Sequence, residues 1–71
     1  MRLEYDAKAD AAYIYLVDDI GVSGVAFTLP CDPVAVDGEI NLDFDDQRRL
    51  IGIEILSASH KLPPSTLEVS R

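Results

Sequence analysis

The side chains best suited to chemistry are carboxylates in the second half of the chain. Asp43, Asp45 and Glu54 fall at the first, third and twelfth positions of an EF-hand loop, a spacing that binds Ca²⁺ through oxygen ligands. Arg48 stands where that loop needs glycine, and Gln47 weakens the fifth ligand. A solvated strand face with a turn is the simpler interpretation, so we predict no metal site. A small metal- or ligand-binding protein or enzyme that uses Asp43, Asp45 and Glu54 stays as the alternative.

His60 and Cys31 are the other candidates for catalysis. His60 as a general base would need Ser57, Ser59 or Cys31 as its nucleophile, together with an orienting carboxylate. A lone histidine near a chain end is more often structural, and the neighbouring Asp32 disfavours a reactive thiolate at Cys31. Cys31 is the single cysteine, which excludes an internal disulfide and a thiolate metal cluster. We therefore predict no catalytic residue and no cofactor, and the sequence favours a protein that is not an enzyme.

Composition limits the kinds of partner. The 71 residues carry six Lys and Arg against thirteen Asp and Glu, a formal charge of -7, and 48% are hydrophobic, too many for a disordered acidic tail. Nucleic acid needs clustered basic residues, and anionic membrane surfaces repel an acidic protein, so we predict neither as a direct partner. Tyr5, Tyr13 and Tyr15 have acidic neighbours, which favours packing or a dimer contact over base stacking. A basic protein suits this charge.

Size and the N-terminal sequence predict one cytoplasmic domain. The first residues show no basic region leading into an apolar segment, and the longest apolar run, at 11–17, is far too short to cross a bilayer. Residues 1–71 fit a single small domain, with a core at about 3–62 and a tail at 63–71. The end of this tail could dock through Leu67 and Val69, or it could fray.

Alternation of apolar and polar residues predicts a mainly β fold, small α+β at most. The expected strands are about 3–6, 11–17, 22–29, 39–45 and 50–56, with Pro30 ending the third and a tight reversal at 46–49 before the last. We expect an antiparallel meander of four to five strands, a loop at 31–38, and one helical turn at 58–62 capped by Ser57.

One face of this sheet is apolar and lacks a cover. The alternating apolar positions of its two clearest strands are Ile40, Leu42, Phe44, Ile51, Ile53 and Ile55. Such a face needs a second layer, and no amphipathic helix of useful length is predicted. Two sheets packed face to face would provide it, so we expect a homodimer through the apolar sheet face.

Two blocks of sequence form a motif. They are YDAKADAAYIYL at 5–16, and NLDFD at 41–45 continued by LIGIEILSAS at 50–59. The pattern resembles domain-of-unknown-function family 2283, small prokaryotic proteins with no established activity, over about residues 3–62. The resemblance implies a small β-rich domain and assigns no catalytic residue. Some members are similar to the partner halves of proposed toxin–antitoxin gene pairs. That family usually has Asp-Gly in the turn before the second block, whereas this chain has Gln47-Arg48, so a different hairpin turn is expected.

The matched positions have structural interpretations. Asp6 and Asp10 can accept hydrogen bonds from backbone amides around the first turn, and Gly52 permits a close approach over the outward face of the last strand. The sequence as a whole predicts a non-enzymatic protein-interaction module, antitoxin-like if its partner is a basic toxin. A purely structural domain that associates only with itself is the other alternative.

Overall fold

The computed structural model describes residues 1–21 and 24–69, and its main feature is one antiparallel sheet. The strands are β1 (Arg2–Asp6), β2 (Ala11–Tyr15), β3 (Phe27–Pro30), β4 (Ile40–Phe44) and β5 (Leu50–Leu56). The helices are α1 (Pro33–Val36), α2 (Ala58–Lys61) and α3 (Pro64–Val69). The predicted class, mainly β with short helical structure near the C-terminus, is confirmed.

The order of the strands differs from the expected meander. They lie side by side as β1-β2-β5-β4-β3, so that β2 pairs with β5 and β3 lies at an edge. The central place suits β5, because Ile51 and Ile55 are buried there between neighbouring strands on both sides. Alternation predicts which face a side chain takes, but it does not predict which strand lies beside which.

The third strand is shorter than predicted. It begins at Phe27, not at residue 22, and residues 22–23 lie outside the described part of the chain. Pro30 belongs to the strand instead of stopping it. Because Cys31 donates its N–H to the Ile40 oxygen (2.8 Å), the alternation of the ladder directs the amide position of Pro30 away from β4. The missing N–H therefore costs no hydrogen bond, as is usual for proline on an edge strand.

The segment at 31–38 contains α1, where a loop was expected. Asp32 is its N-cap and accepts a hydrogen bond from the Val34 N–H (3.0 Å), while Pro33 occupies the first turn. The helix ends at Asp37, which is left-handed with φ of 51°. Proline marks loops and helix starts alike, which is why the sequence pattern was ambiguous here.

The C-terminal helices cover one end of the apolar face. Ala12, Ile55 and Ala58 form its buried cluster, and the partly buried side chains packed against them are Tyr5, Ile14, Ile40, Ile53, Leu62 and Leu67. Leu67 comes from the segment predicted as a tail, so α3 docks this segment onto the sheet. Among the described residues, no helix has the length and apolar character needed to cross a membrane.

Candidate functional site

The three carboxylates of the proposed metal site have other partners. Asp43 accepts hydrogen bonds from the Tyr13 hydroxyl (2.5 Å) and the Thr28 hydroxyl (2.6 Å), and Glu54 accepts one from the Asn41 amide (2.9 Å). Asp45 lies in the turn before β5. Within 1–21 and 24–69 there is no group of three or more His, Cys, Asp or Glu side chains that could hold a metal ion. The spacing that suggested a calcium loop instead serves the sheet and its turn.

Asp45 organises the β4–β5 turn. Its carboxylate accepts hydrogen bonds from the N–H groups of Gln47 and Arg49 (2.9 Å each) and from Arg49 Nε (2.8 Å). The bond from the Arg49 amide contributes most to holding the pKa of Asp45 below its usual value. Arg48 lies in the left-handed region with φ of 64°, where hairpin turns of this kind favour glycine.

A transverse clasp of side chains crosses the polar face of the sheet, linking Tyr13 in β2 to Asp43 in β4 and Thr28 in β3. The Tyr13 ring passes over Gly52 in β5, where a Cβ atom would collide with the ring and its hydroxyl. The sequence prediction that Gly52 permits a close approach is therefore confirmed. Burial, and then the hydrogen bond to Asp43, raise the pKa of Tyr13 well above its usual range. Four strands are tied together by these contacts.

A second cluster fixes α2 to the β1–β2 hairpin through Asp10. The Asp10 carboxylate accepts hydrogen bonds from the Ser59 N–H (2.9 Å), the Ser59 hydroxyl (2.7 Å) and the Tyr5 hydroxyl (2.8 Å). Its carbonyl oxygen also accepts the Ala58 N–H (2.9 Å). The Ser59 hydroxyl has the largest effect in lowering the pKa of Asp10, followed by the Tyr5 hydroxyl. Asp10 thus supplies the cap of α2 from a distant part of the sequence.

This arrangement corrects two expectations. Ser57 precedes α2, but its side chain makes no capping hydrogen bond. Asp6 does accept from the amides of the first turn, at Lys8 (3.0 Å) and Ala9 (3.3 Å), whereas the Asp10 carboxylate binds α2 and not that turn.

Of the residues considered for catalysis, Ser57, Ser59 and His60 lie together at α2, whereas Cys31 lies elsewhere. Ser59 gives its hydroxyl hydrogen to Asp10, while His60 is exposed in the last turn of α2. Cys31 follows β3 at the edge of the sheet and is a free, half-buried cysteine. A nucleophile activated by His60 therefore finds no support in these contacts.

The residues of both side-chain clusters lie within a segment that matches a known family. A family model described as a protein of unknown function (DUF2283) matches residues 2–59 of the 71-residue chain. The chain belongs to the DUF2283 family. Neither the comparison with curated proteins nor that with solved structures finds a match. In this DUF2283 chain the matched segment includes all five strands and both side-chain clusters, from Tyr5 to Ser59.

The two faces of the DUF2283 sheet have opposite character. The polar face carries Tyr13, Tyr15, Asp43 and Glu54, and the tyrosine rings lie 4.7 Å apart between centroids. The opposite face carries an apolar strip, which we define as Phe27, Leu29, Leu42 and Phe44. Leu29 is 53% exposed and Phe27 is 38% exposed. Of the surfaces in the described part of the chain, these two faces are the candidates for binding.

The apolar strip is ordered by its own contacts. The rings of Phe27 and Phe44 are stacked, with centroids 4.9 Å apart and planes 10° from parallel. Arg48 lies over Phe27, its guanidinium carbon 5.6 Å from the ring centroid. The strip lies beyond the end of the face that the C-terminal helices cover, since those helices pack around Ala12 and Ile55.

A small open pocket lies on the same side of the sheet. Its volume is about 320 Å³, and it is lined by Met1, Arg2, Leu3, Ile14 and Thr66. Leu3 and Ile14 face each other across β1 and β2, at the edge opposite β3. The pocket and the apolar strip are therefore separate features.

Proposed function

We propose that this DUF2283 protein is a non-enzymatic protein-interaction module that works as a homodimer, with the apolar strips of two copies packed face to face. The observation that carries the proposal is that Phe27 and Leu29, two large apolar residues, are exposed on the apolar face of the sheet. Exposed apolar side chains that occur singly are ordinary, but a continuous row across two strands favours an interface.

The thin core supports the need for a second layer. In the described part the buried hydrophobic residues are Ala12, Ile51, Ile55 and Ala58, and no large side chain is completely buried. The molecule measures 33 × 29 × 18 Å, so it is a slab. A domain of this size without a disulfide usually needs extra apolar burial to be stable. A second sheet, packed at about 10 Å, would supply it.

Charge and edge chemistry favour a second copy as the occupant. The four residues of the apolar strip are uncharged, although Arg48 lies over Phe27 beside them. The carboxylates Asp43 and Glu54 lie on the opposite face, so face-to-face packing would keep them apart. Pairing through the β3 edge is disfavoured because Pro30 offers no N–H. Homodimer interfaces are more apolar than transient ones and present the same patch from both partners, as this strip would.

Sedimentation velocity of the wild type and two matched variants tests the homodimer. We expect the wild type to be a dimer at micromolar concentration and Leu29→Glu to be a monomer, because a carboxylate would be buried without a partner. Val34→Glu is the control, since Val34 is 87% exposed on α1 and outside the strip. A monomeric wild type at high micromolar concentration would contradict the proposal. Circular dichroism of Leu29→Glu checks that the monomer is folded.

We propose in addition that a basic protein binds the acidic surface, as an antitoxin-like partner would. The formal charge of -7 supports this, because opposite potentials speed encounter and select partners. The test is co-expression with the protein encoded beside this one in its native host. Co-purification of a basic neighbour at a fixed stoichiometry would support the role, and a neighbour that fails to bind would contradict it. A cytoplasmic location stays a prediction.

A further inference from the structure

We infer that the polar face carries a binding site for an arginine side chain of a basic protein partner, formed by Tyr15 and Glu4 and occupied in the free chain by its own Arg2. The inference rests on the proposed binding of a basic protein and names the surface that would meet it.

Arg2 shows what this site selects. Its guanidinium carbon lies 4.0 Å from the centroid of the Tyr15 ring, and its Nε lies 3.5 Å from Glu4 Oε2. Its Nη1 donates to the backbone oxygen of Asp18 (3.3 Å). An aromatic face, a carboxylate and a carbonyl oxygen thus converge on one planar cation. A guanidinium group satisfies all three together, whereas a compact, strongly hydrated ammonium does so less well.

The site is held in place by the rest of the polar face. The Tyr15 hydroxyl donates to Glu4 Oε1 (3.0 Å), which fixes the ring and the carboxylate relative to each other. Tyr13 packs beside Tyr15, and the clasp to Asp43 over Gly52 fixes Tyr13 in turn. Once Arg2 leaves the site, Tyr15 and Glu4 need no further rearrangement, and preorganised tyrosines are frequent anchors of protein interfaces.

Arg2 can be displaced because its contacts are exposed. The side chains of Arg2 and Glu4 are 50% and 59% exposed, and exposed ion pairs contribute little to stability. A partner segment that brings its own arginine would replace Arg2 and extend toward Glu54, which lies opposite Tyr13 in the register of β2 and β5. Phosphate groups would be repelled by the same carboxylates, so the site favours a protein segment over a nucleic acid.

Titration with short peptides, followed by NMR of the ¹⁵N-labelled full chain, tests the inference. The probes are an arginine-rich peptide and its lysine analogue of equal length and charge. We expect the arginine peptide to bind at least about threefold more tightly, and Arg2→Ala, which empties the site, to raise its affinity about three- to tenfold. The amide shifts should centre on Glu4, Tyr13, Tyr15 and Glu54.

Two further variants, both made in the Arg2→Ala background, localise the effect. Glu4→Gln should weaken binding about tenfold, while Asp46→Asn, the same charge change in the β4–β5 turn, should change it less than about twofold. Equal binding of the two peptides, no gain from Arg2→Ala, equal losses in both variants, or no binding would each overturn the inference. Failure of the homodimer proposal would appear in sedimentation, and failure of the antitoxin-like role in co-expression. Neither changes the peptide titration.

Discussion

The ring of Tyr13 in β2 lies directly over Gly52 in β5, and this overlap brings the Tyr13 hydroxyl to Asp43 in β4. A side chain on one strand thereby bonds to the strand beyond its neighbour. The absence of a Cβ at Gly52 makes the contact possible, and the contact gives the buried Asp43 carboxylate one of its two hydroxyl donors.

Gly52→Ala should therefore destabilise the fold strongly. The added methyl group would displace the Tyr13 ring and leave Asp43 with fewer donors, so we expect the free energy of unfolding to fall by about 2 to 4 kcal/mol. Urea denaturation measures it. The comparison is Gly38→Ala, whose Cβ would come no nearer than 3.3 Å to a neighbouring atom, in the Lys61 side chain, against the direct overlap with Tyr13 at Gly52. Equal losses in the two variants would show that the overlap with Tyr13 is not the cause.

Tyr13 should also set the response of the protein to alkaline pH. The folded pKa of Tyr13 is raised by burial and by the bond to Asp43, so its stabilising effect is complete below the unfolded pKa of about 10 and declines as the pH rises above it. Urea midpoints at increasing alkaline pH measure this decline. In Tyr13→Phe the decline should be smaller, while Tyr15→Phe should retain it. An unchanged alkaline decline in Tyr13→Phe would contradict the assignment.

Acid should weaken the attachment of α2. The folded pKa of Asp10 is lowered, so its contribution is present above the unfolded pKa of about 4 and is lost as the pH falls through the folded value. Asp10→Asn cannot accept from both Ser59 groups and Tyr5 as a carboxylate does. We expect this variant to be less stable at neutral pH and to lose less stability on acidification than the wild type, as measured by urea midpoints. Asp46→Asn, at an exposed turn position, controls for the change of net charge. If Asp10→Asn lost as much stability in acid as the wild type, Asp10 would not be the group that attaches α2.

The β4–β5 turn offers a stabilising substitution. Arg48 has a left-handed backbone that costs an L-residue more than glycine, so Arg48→Gly should raise the free energy of unfolding by about 0.5 to 1 kcal/mol. Arg49→Gly, one residue along, should lower it, since it removes the side chain whose Nε donates to Asp45. Thermal unfolding measures these changes, with Arg48→Ala as the reference because it also loses the contact over Phe27. If Arg48→Gly were no more stable than Arg48→Ala, the strain argument would be refuted.

The face of the sheet that each side chain takes could be predicted from the sequence, because side-chain direction along a strand alternates with a period of two. Ile53 and Glu54 therefore take the predicted opposite faces. The order of neighbouring strands could not be predicted, since nothing in the alternation of β2 distinguishes β3 from β5 as its partner. The cap of α2 was missed for a related reason. Asp10 and Ser59 are 49 residues apart, and each has an ordinary local explanation in turn and helix sequences.

For the candidate site residues, too, the sequence predicts the residue types but not their partners. Asp43, Asp45 and Glu54 are close enough in sequence to suggest a shared ligand. In the structure each carboxylate has a different partner: Thr28 for Asp43, Arg49 in the turn for Asp45, and Asn41 for Glu54. The pairing of Tyr15 with Glu4 and Arg2 depends on the β1–β2 register, which the sequence suggests only through its short first turn.

The central position of β5 also affects when the sheet can form during synthesis. During synthesis β1 and β2 leave the ribosome first, and β3 and β4 follow, yet the strand that joins these two pairs is made last. Until residues 50–56 are available, each pair lacks the neighbour that completes its hydrogen bonding, and the Tyr13 hydroxyl has no route across the sheet to Asp43. The nascent chain therefore completes its sheet only when β5 is available, and shortening it before Leu50 should remove the whole fold and not merely one edge.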